Sequence, residues 1–589
     1  MPPASPGGGT RATGPLWMLL GLFATVVVVW HISVLVAGLV TGEPAHPTVQ
    51  ESLAAIVGSP FNPLAGYSRG TPAPQVVWPM FGFAVTLLVC ILVWWWLRRD
   101  RRSRRQGMGS ARELAPYLGE QAARLLAEQT RPRTADRSRV PIEEIGVPLG
   151  VAEGTGMRLY ASHEDSVAVV GGPRSRKTAT VIVDAIRTAP GPAVAVSTKG
   201  DLLAITYVSR RRRGRVSVFD PTDVTGWPTG LRWSPVAGCD DPEVAMARAE
   251  AVVAAIPKDD STRNADFFES QARDILRCLL HAAALVEATM REVIEWCLRV
   301  DSPTLPPREI LRTHPRAAPM YALALETLTS GSAVDGPLDS TKKTLARLIA
   351  PFASPRLLEA CCPPPGEGFD IDAFLDSTDT LYVMAGDGAT VAPLVTAFVH
   401  EIVRAGRRQS QRLVPPRLDP PLRLVIDEVA AVCPLPDLPM LMSDSGGRGI
   451  TVFIGSQGLG QARRRWGPDG ADEVFGSATA KIIMGGASEP DFLERMSLLA
   501  DEVEVASWSN TVSADGARSQ TQGMHSRRTI RPGEIRTLSP GTALLLYRQA
   551  RPVIAVFAPF WEADWADDAR ASQEQVAGIV ASGQLGDSG

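Results

Sequence analysis

Residues 167–185 constrain the fold of this chain more than any other stretch, and their sequence is VAVVGGPRSRKTATVIVDA. The apolar residues at 167–170 are typical of a buried strand, and apolar residues at helical spacing follow Thr178. A glycine pair and the dipeptide Lys177-Thr178 lie between them. In this order, backbone N–H groups of the turn can bind phosphate oxygens, the lysine can reach the terminal phosphate, and the threonine hydroxyl can bind Mg²⁺. The stretch therefore predicts a phosphate-binding loop between a strand and a helix.

One position departs from the usual pattern of such a loop, G-x-x-x-x-G-K-[ST]. Gly171, Lys177 and Thr178 fit the pattern, whereas Arg176 stands where the second glycine is expected. A glycine there lets the loop close tightly, so a residue with a side chain is expected to strain the backbone. The predicted nucleotide-binding residues are Gly171, Gly172, Pro173, Arg174, Ser175, Arg176, Lys177 and Thr178.

A second strand-like run, LRLVI at Leu422–Ile426, ends directly in Asp427 and Glu428. An aspartate at this place can bind Mg²⁺ through water, and the glutamate beside it can polarise the attacking water. Gln457 follows another apolar run, and its amide can reach the γ-phosphate or that water. Together with the loop, these residues predict an ATPase site that binds ATP and Mg²⁺, with Thr178 and Asp427 at the metal and Glu428 and Gln457 as catalytic residues.

Short apolar runs alternate with helical periods around these motifs, which predicts an α/β fold with a parallel sheet covered on both faces. The runs lie at 192–197, 216–219 and 380–384. Residues 241–376 show mainly helical periods, separated by proline-rich breaks. We therefore expect an α/β domain at 141–240 and 377–561 that is interrupted by an all-α insertion at 241–376.

Two uncharged runs near the N-terminus, at 16–40 and 76–97, contain His31 as their one titratable basic side chain. Each is long enough to span about 30 Å of hydrocarbon as a helix. Six arginines at 98–105 follow the second run, whereas the loop at 41–75 holds a single arginine. The positive-inside rule then predicts two transmembrane helices in the cell (inner) membrane, with the loop outside and both termini in the cytoplasm.

Charge and cysteine content bound what the remaining residues can do. The net charge of the 589 residues is −3, so any basic surface that binds nucleic acid must be local. None of the seven cysteines shows the C-x-x-C spacing of a metal site, and this usage suits a reducing cytoplasm for most of the chain. The sequence thus predicts a membrane anchor at 1–105, a charged helical connector at 106–140 and a polar, frayed tail at 562–589.

With these features assembled, the chain resembles the type IV secretion coupling proteins, the TraG/TraD-like conjugative DNA transfer ATPases. The likeness covers nearly the whole chain, in the same order of membrane anchor, ATPase domain and helical insertion. The stretches that carry it are STKGDL at 197–202, WSP at 233–235, DSTKKTLARLIAPF at 339–352, LRLVIDEVAAV at 422–432 and GGRGITVFIGSQGLGQARRRWG at 446–467.

The resemblance implies a RecA/FtsK-like P-loop ATPase domain that works as a ring, usually a hexamer, with DNA in its pore. It implies that ATP hydrolysis drives delivery of a relaxase–DNA complex, or of secreted protein substrates, into a membrane channel. The expected partners are therefore DNA bound without sequence preference, a relaxosome with its relaxase, and membrane proteins of the channel. The C-terminal half resembles the region of TraD that recognises the relaxosome protein TraM.

The same resemblance raises the question of which arginine completes a neighbouring subunit's site. The family often has Arg-Gly-Arg-Gly-Ile, whereas this chain begins the motif with Gly446 and keeps Arg448. Either Arg448 is this catalytic arginine, or another arginine of the chain has that role. Two alternative functions stay open: a substrate receptor that does not hydrolyse ATP, suggested by Arg176 and Gly446, and an FtsK-like DNA pump with the same site chemistry. The intact pair Asp427-Glu428 argues against the first alternative.

Overall fold

The computed structural model describes residues 14–42, 47–59, 62–67, 74–102, 106–256, 264–330, 337–386, 388–512 and 518–585. The chain divides into two compact units, Met1–Arg104 and Arg105–Gly589. The first unit contains the helices α1 (Gly14–Thr41), α2 (Val49–Gly58) and α3 (Pro74–Arg102). A small apolar cluster that includes Trp30, Val34 and Val77 is buried where α1 and α3 pack together.

The prediction of two membrane spans concerns this first unit. In the part of the chain that is described, no helix is both long enough and apolar enough to cross a membrane. The predicted spans at 16–40 and 76–97 are therefore not supported. Portions of them, at 16–24 and 90–97, and the arginine run at 98–105 lie outside the residues whose side chains are described.

The second unit is organised around an eleven-stranded sheet, and thirteen strands are described in all. The strands are β1 (Val147–Ala152), β2 (Arg158–Ala161), β3 (Val167–Val170), β4 (Ala193–Ser197), β5 (Val216–Phe219), β6 (Thr380–Met384), β7 (Leu422–Ile426), β8 (Ile450–Ser456), β9 (Ala480–Met484), β10 (Glu502–Val512), β11 (Arg518–Arg528), β12 (Thr542–Tyr547) and β13 (Val553–Val556). The order in the large sheet is β2-β1-β13-β12-β9-β3-β8-β7-β4-β6-β5, and β10 pairs with β11 alone.

The seven strands from β9 to β5 in this order are parallel, and most of their residues are apolar and buried. Such continuous apolar runs are expected when helices cover both faces of a parallel sheet. β12, β13, β1 and β2 extend the sheet through antiparallel pairs. Because β12 runs opposite to β9 and β13 runs opposite to β12, β13 has the direction of β3.

Helices cover the sheet and fill one long connection. The helices of this unit are α4 (Ala111–Leu118), α5 (Glu120–Thr130), α6 (Val183–Arg187), α7 (Asp201–Arg211), α8 (Pro242–Ala254), α9 (Ala265–Leu285), α10 (Met290–Leu298), α11 (Pro306–Thr313), α12 (Pro319–Thr329), α13 (Pro337–Ile349), α14 (Pro355–Cys361), α15 (Ile371–Leu375), α16 (Gly388–Gln411), α17 (Val429–Val432), α18 (Leu438–Asp444), α19 (Leu459–Ser477), α20 (Pro490–Leu499), α21 (Pro532–Arg536) and α22 (Ala566–Ser582). Within the described residues, α8 to α15 lie between β5 and β6, where the sequence predicts an all-α insertion.

Helices near both ends of the second unit pack against the rest of that unit. The connector at 106–140 contains α4 and α5, and Leu114 and Leu118 of α4 are fully buried in the core beside the sheet. The prediction of a frayed tail at 562–589 is wrong for α22, which packs on α7. Ser572 of α22 is buried, and its Oγ accepts a hydrogen bond from the backbone N–H of Val208, 3.2 Å away. Because the first turn of α22 is charged, the composition of this segment does not reveal that one face of the helix is buried.

Candidate active site

The order of the central strands brings the predicted site residues to one edge of the sheet. β8 lies between β3 and β7, with Val170 opposite Ser456 and Ile426 opposite Ile454. Because all three strands are parallel, the segments that follow them leave the sheet at the same edge, where α/β proteins place their ligands. The loop at 171–178, Gln457 and the pair Asp427-Glu428 are these segments.

Side chains of the loop and of the β7 end are in direct contact. The Lys177 ammonium lies 2.9 Å from Asp427 Oδ1 and 2.7 Å from Glu428 Oε1. The Thr178 hydroxyl donates a hydrogen bond to Asp427 Oδ2 over 2.8 Å. Lys177 is only 6% exposed, so its ammonium is largely removed from water. The two carboxylates compensate its charge there. The residues predicted to bind phosphate and Mg²⁺ therefore form one cluster.

The glycine pair at the start of the loop allows a close approach to the segment after β9. A Cβ on Gly172 would lie 2.1 Å from the carbonyl oxygen of Gly486, and one on Gly171 would lie 2.6 Å from Ser175 Oγ. Among the described residues, no group hydrogen-bonds Ser175 Oγ, although this hydroxyl is buried. A buried donor of this kind suits a phosphate oxygen, so the loop fits the nucleotide that its sequence predicts.

Arg176 takes the backbone conformation that explains the expected glycine at its position. Its φ is 69°, and that of Arg174 is 64°, both in the left-handed region that costs a residue with a side chain about 1–2 kcal/mol. Glu428 is also left-handed, with φ 63°. Such strain is often found at functional sites, where the surrounding structure holds it in place. The loop therefore keeps its closed conformation with Arg176 in place of glycine. The backbone strain that the sequence predicts is found at Arg176 itself.

Gly455 in β8 leaves space for the contact between Lys177 and Asp427. The sequence alone did not predict this role. A Cβ on Gly455 would lie 2.8 Å from Asp427 Oδ1 and 3.1 Å from Lys177 Nζ. No local motif marks this glycine, because its role arises from the pairing of β8 with both β3 and β7. The close approach of Lys177 to Asp427 across β8 therefore depends on the missing side chain.

Replacing Gly455 with alanine should lower ATP hydrolysis by about tenfold or more, because the new methyl group displaces the carboxylate or the ammonium. Steady phosphate release by the full-length chain measures this effect. Gly578→Ala is the matched control, since Gly578 is exposed on α22 and a Cβ there meets nothing within 4 Å. Native turnover in Gly455→Ala would contradict the importance of this approach.

Asp201, at the start of α7, is a further acidic group near this edge. It belongs to the stretch STKGDL, and α7 begins shortly after β4, the strand beside β7. Burial raises the pKa of the Asp201 carboxyl, and the negative charge of Asp427 raises it further. The sequence identifies this stretch as part of the family resemblance. Only the fold shows that its aspartate lies close enough to Asp427 for the two charges to interact.

Two predicted catalytic residues lie in different places. Gln457 is exposed and directly follows β8 at the edge that carries the loop. Arg448 precedes β8, so it lies at the opposite edge, about 20 Å away along the strand. Its side chain is 32% exposed and pairs with Asp444 over 3.0 Å. The structure thus brings together Lys177, Thr178, Asp427 and Glu428 within this chain. It places Gln457 at the same edge of the sheet and leaves Arg448 outside the cluster.

The first position of the arginine motif has no space for a side chain. A Cβ on Gly446 would lie 1.9 Å from the carbonyl oxygen of Glu164. An arginine at 446 would therefore require the backbone near Glu164 to move. The close approach to Glu164 thus accounts for the glycine at the first position of the motif.

Comparisons with known proteins agree with this architecture. A family described as the type IV secretory system conjugative DNA transfer family matches residues 124–305, and a family described as the TraM recognition site of TraD and TraG matches residues 421–540. No curated protein matches the sequence.

Solved structures of a plasmid coupling protein, TrwB, have a similar fold. The unbound bacterial conjugative coupling protein TrwB without its first 70 residues matches with a TM-score of 0.53 and 20% identity, over 77% of this chain and 96% of that one. TrwB with a non-hydrolysable ATP analogue matches with a TM-score of 0.52 and 20% identity, over 70% and 89%. TrwB with a non-hydrolysable GTP analogue gives 0.51 and 20%, over 67% and 86%. The two family matches, on a chain with this fold, show that it belongs to the coupling proteins of type IV secretion systems.

Proposed function

We propose that this chain is an ATP-driven coupling protein that brings DNA to a type IV secretion channel. The observation that carries the proposal is the cluster of Lys177, Thr178, Asp427 and Glu428 at the shared edge of β3 and β7. The matches to the conjugative DNA transfer family and to the TraM recognition region support DNA bound to a relaxosome as the cargo.

The residues of this cluster have separate tasks in phosphoryl transfer. Thr178 and Asp427 would hold Mg²⁺, which would supply positive charge to the phosphate oxygens. Lys177 leaves its carboxylate partners to neutralise the terminal phosphates of ATP. Glu428, released from Lys177, accepts a proton from the attacking water, and Gln457 orients that water. The close pairing of Lys177 with Glu428 over 2.7 Å means that ATP competes with an acidic side chain for the ammonium.

Arg448 acts in a neighbouring subunit in this proposal. An arginine at the sheet edge opposite its own loop can reach a second active site when subunits pack head to tail, and such packing can close into a ring. Members of one ring would then each supply Arg448 to the next site, and a hexamer is the assembly we propose. Contacts between the ring pore and DNA would go mainly to phosphates, without sequence preference.

We also propose that the chain is attached to the inner membrane, with its second unit in the cytoplasm. The support is the sequence: the uncharged runs at 16–40 and 76–97 and the arginines at 98–105. Channel membrane proteins would be its partners there. The full-length chain should sediment with membranes and be released by detergent, and recovery in the soluble fraction of broken cells would contradict attachment.

DNA transfer between cells tests the proposed function. Donor cells that lack the chain should transfer DNA at background frequency, and the native chain should restore transfer. Lys177→Ala should restore less than about a thousandth of the native frequency, since the motor lacks the phosphate-binding charge. Immunoblots must show equal amounts of both chains. Full transfer with Lys177→Ala would contradict an ATP-driven role, and native export of a protein without DNA transfer would assign the chain a protein cargo.

A further inference from the structure

The partly exposed indole of Trp561 lies beside the phosphate-binding loop, next to Arg176. Arg176, the residue directly before Lys177, places its Cζ 5.4 Å from the centre of the Trp561 ring. This is within the range of a cation–π contact. The indole is nevertheless 47% exposed, so much of the ring remains accessible beside the loop.

The segment that carries Trp561 is fixed to the loop by its backbone. The Phe560 N–H donates a hydrogen bond to the carbonyl oxygen of Ala179, 3.0 Å away, and Ala179 is the second residue after Lys177. The Phe560 ring meets the Trp561 ring edge to face, with centroids 4.9 Å apart. The indole N–H donates to Glu562 Oε1 over 3.2 Å. The ring is therefore held in place before any ligand arrives.

The sheet order determines which end of a nucleotide would face this ring. Glu428 follows β7, which is separated from β3 by β8 alone, and Lys177 points to this side. The terminal phosphate belongs here, because lysine and the water-activating carboxylate act on it. The ribose and base at the other end of the phosphate chain must leave the loop away from Glu428.

Trp561 lies on that other side. It follows β13, which comes after β9 and β12 in the opposite direction from β3 and runs parallel to β3. The end of β13 is consequently at the same edge as the loop. A planar base leaving the loop on this side meets the indole face, where base–aromatic stacking is favourable and does not depend on hydrogen bonds at the base edge.

The geometry points to Trp561 as the platform on which the base of the bound nucleotide stacks, with the Arg176 guanidinium giving up that face when the base arrives. The inference rests on the proposed function, because it assumes that the loop binds a nucleoside triphosphate. The inference also predicts a base preference. A larger base stacks over more of the indole ring, so purine triphosphates should bind more tightly than pyrimidine triphosphates. ATP and GTP should bind with similar affinity, because stacking does not depend on hydrogen bonds at the base edge.

Titration calorimetry on the full-length chain tests this inference with two probes, MgATP and magnesium tripolyphosphate. Trp561→Ala should weaken ATP binding by about tenfold or more and leave tripolyphosphate binding unchanged, because the inorganic probe has no base. Trp561→Phe keeps an aromatic face and should bind ATP nearly as the native chain does. In the native chain, CTP should bind less tightly than ATP.

Different failures have different meanings in this experiment. Native ATP affinity in Trp561→Ala, with affinity lost in Lys177→Ala, would overturn the stacking platform and leave the nucleotide site standing. An equal loss for both probes in Trp561→Ala and Trp561→Phe would also overturn it, since the ring would then only support the loop. A native chain that binds neither probe would overturn the proposed function itself.

Discussion

Replacing Glu428 with glutamine is expected to lower steady ATP hydrolysis about 10³-fold while ATP binding stays as tight as in the native chain or becomes tighter. Glu428 Oε1 lies 2.7 Å from Lys177 Nζ, so the carboxylate competes with phosphate oxygens for that ammonium. Glutamine removes both the general base and the competing negative charge. Phosphate release and calorimetric titration on the full-length chain measure the two effects separately.

Glu287→Gln is a matched control for this substitution. Glu287 has φ 55° and Glu428 has φ 63°, so both glutamates are in the left-handed region. Glu287 is exposed and lies just after α9 in the helical insertion, so its substitution should leave turnover unchanged. Hydrolysis by Glu428→Gln within a few-fold of the native rate would contradict its assignment as general base.

Replacing Arg448 with alanine is expected to slow hydrolysis about 10³-fold, and mixing this variant with the inactive Glu428→Gln chain is expected to restore turnover. The reason is the position of Arg448 at the sheet edge opposite its own loop. In a mixed ring, a Glu428→Gln subunit supplies Arg448 to a neighbour whose Glu428 is intact. At equal amounts, about a quarter of the sites of a randomly mixed head-to-tail ring have this composition.

Phosphate release across a series of mixing ratios measures the recovery, which should be greatest near equal amounts. Arg312→Ala is the control, because Arg312, like Arg448, has a solvent-accessible guanidinium that pairs with an acidic residue a few positions earlier in the chain, Glu309. Native turnover in Arg448→Ala would contradict a catalytic role. Absence of recovery in rings shown to contain both chains would place the effect of Arg448 within its own subunit.

The sequence was most informative where the chemistry is carried by neighbouring residues. The strand before the loop, the loop itself and the strand before Asp427 are each contiguous, and each lies where it was predicted. The prediction that a side chain at 176 strains the loop was also local, and the left-handed φ of 69° agrees with it. An alternation of apolar runs and helices was sufficient to indicate the α/β sheet.

Features that depend on contacts between distant segments could not be found in this way. Gly455 matters only because β8 lies between β3 and β7, and Trp561 matters only because β13 ends at the edge that carries the loop. The acidic and polar composition of 562–589 predicts a tail, although Ala569 and Ser572 of α22 are buried against the rest of the unit. β11 was missed because polar residues dominate it, and it pairs with β10 outside the large sheet.

Hydrolysis of ATP by the full-length chain, with and without single- and double-stranded DNA, tests the central claim most directly. The account predicts steady turnover that rises when DNA is added, that loses this stimulation at high salt because DNA is held through its phosphates, and that disappears in Lys177→Ala. A folded chain that binds ATP and shows no turnover under any of these conditions would contradict the account, and it would identify the protein as a receptor that binds nucleotide without hydrolysing it.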